Sequence, residues 1–141
     1  MNKFKIEIQV RFADLDGYGH VNNAVYFTYL EFTRIAFLKT HFNTIFTDYM
    51  KKGIFLLIVN AECKYKRPIS LDDKIFVTLW ASKMGNFSFD LQYEIINDKD
   101  EIFALAKTVS VFYDDVNKKL FRIHDEFKKM VTDYFQIDKK K

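Results

Sequence analysis

One proline, four glycines and a single cysteine occur in 141 residues, and each scarcity removes a class of structure. With one cysteine no disulfide can close within the chain. Cys63, inside an alternating segment, reads as a small buried hydrophobe, and a reducing, cytoplasmic setting follows. So little glycine and proline leaves few breaks, which predicts long regular elements. No basic start leads into a short apolar run, and no stretch approaches the roughly 18 uninterrupted apolar residues of a spanning helix, so neither export nor membrane insertion is expected. Charge of one sign is also scarce: Lys and Arg exceed Asp and Glu by only 22 to 19. That is no nucleic-acid-binding balance, and the lysines at 139–141, which could supply the whole surplus, read as a solvated tail.

Aromatic residues are abundant instead, with 16 Phe and 8 Tyr. Such a content suits a large core and an oligomer that covers leftover apolar surface. No repeat, low-complexity segment or linker interrupts the chain, so residues 1–141 are expected to form one domain.

Hydrophobic periodicity sets out the elements. Ile6, Ile8, Val10 and Phe12 alternate with Lys5, Glu7, Gln9 and Arg11, as a half-buried strand requires. Asn23 to Lys39 lacks glycine and proline and is apolar on most sides, which predicts a helix buried nearly all round. Four antiparallel strands are then expected: Ile54–Lys66, Lys74–Lys83, Phe87–Ile95 and Ile102–Tyr113. A short amphipathic helix with Asp125 as its cap closes the series. Helices segregated from hairpin-linked strands indicate an α+β fold, with a curved five-stranded antiparallel sheet wrapped around a long central helix.

Between the first strand and that helix lies DLDGYGHVNN, residues 14 to 23. Its D-x-D-G start is not a calcium loop: counted from Asp14, the fifth residue is Tyr18 and the twelfth is Val25, where oxygen ligands belong. Neither the third glycine of a dinucleotide fingerprint nor the lysine of a P-loop is present. No G-x-S-x-G occurs, and His41 and His124 sit in helix-flanking contexts that suit structural roles. What remains is a carboxylate beside the amino end of a buried helix, where unpaired N–H groups can hold a developing oxyanion. Aspartates and asparagines there are also good turn and cap formers, so the residues alone leave a catalytic and a purely structural reading open.

The stretch RFADLDGYGHVNNAVYFTYLEFTR resembles the opening signature of the hotdog-fold acyl-CoA thioesterases, in the group that includes 4-hydroxybenzoyl-CoA and bacterial short-chain acyl-CoA thioesterases. AECKYKRPISLDDKIFVTLW, residues 61–80, matches a second family stretch. The resemblance implies a hotdog fold and hydrolysis of an acyl-CoA, or acyl-ACP, thioester without a cofactor or metal. It makes Asp16 the catalytic carboxylate, as base or nucleophile, and the Asn23 backbone N–H the oxyanion donor. His20 orients water or Asp16, or serves as a structural hydrogen-bonding residue. Asp14 braces the loop, Asn22 is loop architecture, and Gly17 and Gly19 let the chain turn. Gly19 and Tyr26 join the substrate-binding set, and Lys64, Lys66, Arg67 and Lys83 are its phosphate partners on charge grounds. Family members pair sheets edge to edge, with sites at the interface, and dimers can pair into tetramers. A hydratase or dehydratase using His20 with Asp16, and a non-catalytic acyl-thioester binding module, are the competing functions.

Overall fold

The computed structural model describes residues 2–137, so the lysines at 139–141 lie outside the described residues. The chain forms strand β1 (Phe4–Ile8), a single 3-10 turn (Phe12–Asp14), helix α1 (Val25–Lys51), strands β2 (Ile54–Tyr65), β3 (Ile75–Met84), β4 (Ser88–Ile96), β5 (Ile102–Asp114) and β6 (Lys119–Phe121), and helix α2 (Asp125–Phe135). The sheet order is β1-β3-β4-β5-β2, every pairing antiparallel, and β6 adds to β5. Curved around α1, this is the hotdog arrangement expected from the sequence. It carries six strands, because the short β6 after the Asp115–Lys118 turn is too brief to show a period.

The helix is longer than the expected one and starts later. It runs 27 residues, roughly 40 Å, and bends at Phe42, whose φ of −134° leaves the helical region. Tyr26, Tyr29, Leu30, Thr33, Arg34, Phe37 and Leu38 are buried, an i, i+3, i+4, i+7 stripe that faces the sheet. Its other flank is open: Phe32 is 56% exposed, and Phe27, Thr28 and Glu31 are exposed beside it. Burial nearly all round, expected from composition, therefore does not hold for a single chain. A sheet covers one side of a helix, and nothing among the described residues covers the other.

Beyond the bend, aromatic packing takes over. Phe37 meets Phe4, Phe42, Tyr134 and Phe135 at centroid distances of 5.1–5.4 Å, which ties β1 and α2 to the helix. His41 stacks on Phe4, Phe37 and Tyr134, and His124 packs against Tyr49 and Phe121, so both histidines take structural places. The residue capping α2 is His124, with Asp125 already its first helical residue. Asp125 and Glu126 still suit the positive end of that helix.

The first strand ends before its alternation does. Pairing with β3 stops at Ile8, opposite Ile75, and Phe12 is 80% exposed on the 3-10 turn that follows. The turn reverses the alternation: it sends Phe12 outward and Asp14 inward, where Asp14 is only 1% exposed. Burying a carboxylate is tolerable only when it is fully hydrogen-bonded.

Candidate active site

Asp14 meets that condition. Its Oδ1 accepts from Nε and Nη2 of Arg11 (3.1 and 2.8 Å), and its Oδ2 accepts from the Arg11 backbone N–H (3.0 Å) and the Tyr29 hydroxyl (2.7 Å). Burial pushes the Asp14 carboxyl up, but the bonds from Arg11 and Tyr29 outweigh it and hold the group below the usual aspartate value. The Tyr29 hydroxyl, desolvated and donating to that carboxylate, is pushed well above an ordinary phenol. Asp14 is thus committed to the scaffold. It pins the loop to α1 through Tyr29, and four donor contacts occupy its two oxygens.

From Asp14 the loop folds back as a narrow hairpin. The Asn22 N–H donates to the Asp14 carbonyl (2.9 Å), Leu15 bridges Val21, and the Asp16 N–H donates to the His20 carbonyl (2.7 Å). Val21 in turn donates to the Ile69 carbonyl (2.8 Å), and His20 bridges Ser70, so the hairpin is stitched to the segment between β2 and β3. At the tip, Gly19 adopts φ +82°, a conformation in which any Cβ is strained. Gly17 does not need it. The Asp16 carboxylate crowns this turn. Its Oδ1 accepts the N–H groups of Tyr18 (2.8 Å) and His20 (3.3 Å), while Oδ2 has no hydrogen-bond partner among the described residues.

The helix entry leaves one donor over. Asn22 takes the Ala24 N–H on its Oδ1 and the Val25 N–H on its carbonyl, both at 2.9 Å. Asn22 thereby braces the turn into α1, whose N-cap position is Ala24, one residue after the expected helix start at Asn23. The Asn23 N–H, between these, meets no acceptor among the described residues. It is an unpaired backbone donor at the positive end of a long helix.

Around it gathers a small group from two elements. The Asn23 carbonyl accepts from the Tyr65 hydroxyl at the end of β2 (2.9 Å), and the Tyr65 ring stands edge-on to Tyr26, 4.8 Å between centroids. Tyr26 is buried, and burial first, then the neighbouring Cys63, Tyr65 and Asp16, raise its hydroxyl above the usual phenol value. Burial likewise pushes the Cys63 thiol up, so it is not an activated nucleophile. Asp16 and Asn23 therefore share one mouth with Tyr26 and Tyr65. Tyr26 shapes it from beneath, and Gly19 and His20 lie exposed on the turn, with the His20 ring making no hydrogen bond to Asp16 among the described residues.

The basic residues divide. Lys64, Lys66 and Arg67 are exposed at the site end of the sheet, the last half committed to Glu101 (3.3 Å) and to the face of Phe103 (4.5 Å). Lys83 stands elsewhere. The row through Tyr65 crosses Ala104, Ile95 and Val77, and Lys83 lies six positions further along β3, roughly 20 Å away. Within a single chain it is not brought to the site. A cavity of about 540 Å³ opens between β1 and the flank of α1, lined by Ile8, Arg11, Asp14, Thr28, Tyr29 and Phe32 among others. Asp16 and Asn23 are not in its walls; in one chain Asn23 is exposed and Asp16 half-buried.

The family resemblance pointed to Asp16 and Asn23 but passed over Tyr65, which read as one more member of an alternating strand. No local signal marks it, because its partner is 42 residues away.

Comparison with known proteins bears on the family and the fold. Residues 10–131 match the model of the thioesterase-like superfamily. The putative acyl-CoA thioesterase YneP of Bacillus subtilis (strain 168) is 27% identical over 139 residues, 99% of this chain and 100% of its own length. The long-chain acyl-CoA thioesterase FadM of Escherichia coli (strain K12) is 28% identical over 123 residues, 86% of this chain and 92% of its own. A thioesterase from Thermus thermophilus, solved with coenzyme A and Zn, superposes with a TM-score of 0.79 at 25% identity, covering 95% of each chain. A hotdog sheet around its helix is what that match leads one to expect, and with residues 10–131 covered by the family model this chain belongs to the thioesterase-like superfamily.

Proposed function

We propose that this chain hydrolyses acyl-CoA thioesters at the mouth of α1. The observation that carries the reading is the unpaired Asn23 N–H beside a carboxylate with one free oxygen, Asp16 Oδ2. A thioester carbonyl seated on the Asn23 N–H would develop its negative charge against that donor and the helix dipole. Asp16 Oδ2 then either takes the proton of an attacking water or attacks the carbonyl carbon itself. Collapse of the tetrahedral intermediate expels the thiolate, which is protonated to the free thiol; on the nucleophilic route water then cleaves the acyl–Asp16 anhydride, releasing the acid and restoring the carboxylate. General-base help of about 10² to 10⁴ and an oxyanion donor worth about 2.7 to 4 kcal/mol suffice for a working enzyme. The proposed contacts for the carrier's phosphates are the exposed Lys64 and Lys66, which have no ion-pair partner among the described residues, and Arg67.

The matching test is thiol release, followed with a disulfide reagent, across CoA esters of increasing chain length and aromatic acyl groups. Release well above the buffer rate from at least one ester is expected; none from any, with folded protein, would sink the proposal. His20 makes no side-chain bond to Asp16, which disfavours a dehydratase pairing. Crotonyl-CoA should accordingly keep its enoyl absorbance.

The open placement of Asp16 and Asn23 supports a site completed by a second copy. The edge strand β2 runs 12 residues with no neighbour on one side among the described residues and exposes Phe55, Leu57, Ile58 and Val59, the last 60% exposed. So long an apolar edge invites another strand. A homodimer joined along β2 is expected by light scattering at micromolar concentration. Val59→Lys, which adds a charge to that edge, should shift the protein toward monomer and lower thiol release with it, and a monomeric wild type would refute the pairing.

A further inference from the structure

We infer that Tyr65 is a positioning residue for the reaction, fixing the backbone that carries the oxyanion donor; this rests on the hydrolytic reading above. Asn23 is held from its amino side by Asn22, whose N–H is bound to Asp14, whose side chain takes the Ala24 N–H and whose carbonyl takes the Val25 N–H. Nothing in the helix holds it from the other side. The Phe27 N–H turns to the Ala24 carbonyl (3.2 Å), so the Asn23 carbonyl stands outside the helical ladder. Its partner is the Tyr65 hydroxyl, at 2.9 Å.

That bond is unusual in its reach. It joins the last residue of edge strand β2 to the entry of α1 across 42 residues, and the two elements are otherwise linked there through side-chain packing. The hydroxyl is aimed by its own surroundings. The ring is set edge-on to the buried ring of Tyr26 at 4.8 Å, and the Cys63 thiol, two residues back on the same face of the strand, lies beside the hydroxyl. An anchored ring with a single rotatable hydroxyl is a stiff strut. It fixes the peptide plane of the Asn23 carbonyl, while the Val25 N–H holds the Asn22 carbonyl, whose plane carries the Asn23 N–H; the Asn23 Cα between the two planes is thus restrained from both sides. An oxyanion donor contributes only while it points at the place where charge develops, so a donor free to swing loses rate without losing substrate affinity.

Tyr65→Phe keeps the ring on Tyr26 and removes only the donor. Loss of one neutral hydrogen bond corresponds to about a five- to tenfold fall in rate, and the fall is expected in kcat, with KM within about twofold of wild type. In ¹H–¹⁵N spectra the Asn23 and Ala24 amides should shift and exchange faster, while light scattering stays at the wild-type value and melting falls by no more than about 3 °C. Tyr65→His, whose ring N–H can donate, should recover part of kcat, and it reads the same point if Tyr65→Phe does not fold. An unchanged kcat in an active background would overturn the inference and leave the hydrolytic reading standing. A raised KM at constant kcat would also overturn it, by making Tyr65 a substrate contact. A wild type that releases no thiol fails the hydrolytic reading itself and takes the inference with it.

Discussion

Replacing Asp16 by asparagine is expected to lower thioester hydrolysis by about 10² to 10⁴-fold with little change in stability. The substitution is close to a pure test of chemistry. In the native loop Asp16 Oδ1 accepts the N–H groups of Tyr18 and His20, and an asparagine side-chain oxygen can accept both in the same place. What it cannot do is take a proton or attack a carbonyl from the second position, now an amide nitrogen. Undiminished turnover in Asp16→Asn would refute the assigned role. Single turnover in ¹⁸O-water separates the two versions of that role: label entering the Asp16 carboxylate marks a covalent anhydride, whereas water activation puts it only in the released acid.

Asp14→Ala should do the opposite, a large loss of stability at a residue with no chemical step. Four hydrogen bonds end on this buried carboxylate, and removing it leaves the buried Tyr29 hydroxyl and the Arg11 backbone N–H without an acceptor. Hydrogen bonds to charged groups contribute about 1.5 to 3 kcal/mol, and the orphaned donors add their desolvation, so a loss of about 3 kcal/mol is expected. In a chain of this size that lowers Tm by roughly 10 °C, and a shift under about 3 °C would argue against the brace. The same carboxylate sets a pH dependence. Because its folded value lies below the unfolded one, its stabilisation is present above the ordinary aspartate range and is lost as pH falls through the folded value. The wild type should therefore weaken in acid below about pH 4 more than Asp14→Ala does, a difference readable in paired melting curves.

Two aspartates with one residue between them thus have different work, and the sequence could rank them only through resemblance. Composition and alternation were enough for the antiparallel strands and the helix, because burial of one face imposes a period that any window of the chain displays. Boundaries slipped where a non-local partner decided them. The first strand stops at Ile8 because β3 starts at Ile75 and because Asp14 must turn inward to Arg11 and Tyr29. The helix passes Lys39 and bends at Phe42, where packing against Phe37 and Phe127 outweighs regular geometry.

The loop DLDGYGHVNN was legible as a candidate site: too many turn and cap residues, and one motif shared with a family. Which of its groups remain free was not legible, since freedom is a matter of what else arrives. Arg11 and Tyr29 consume Asp14, Asn22 consumes the N–H groups of Ala24 and Val25, and Asp16 Oδ2 and the Asn23 N–H are what is left. Local pattern determined the elements and the family, because both are written in residues near one another in the chain. The tertiary structure alone decided which groups stay free and which are bound, the strut from Tyr65 included, because a hydrogen bond spanning 42 residues exists only once strand and helix have packed.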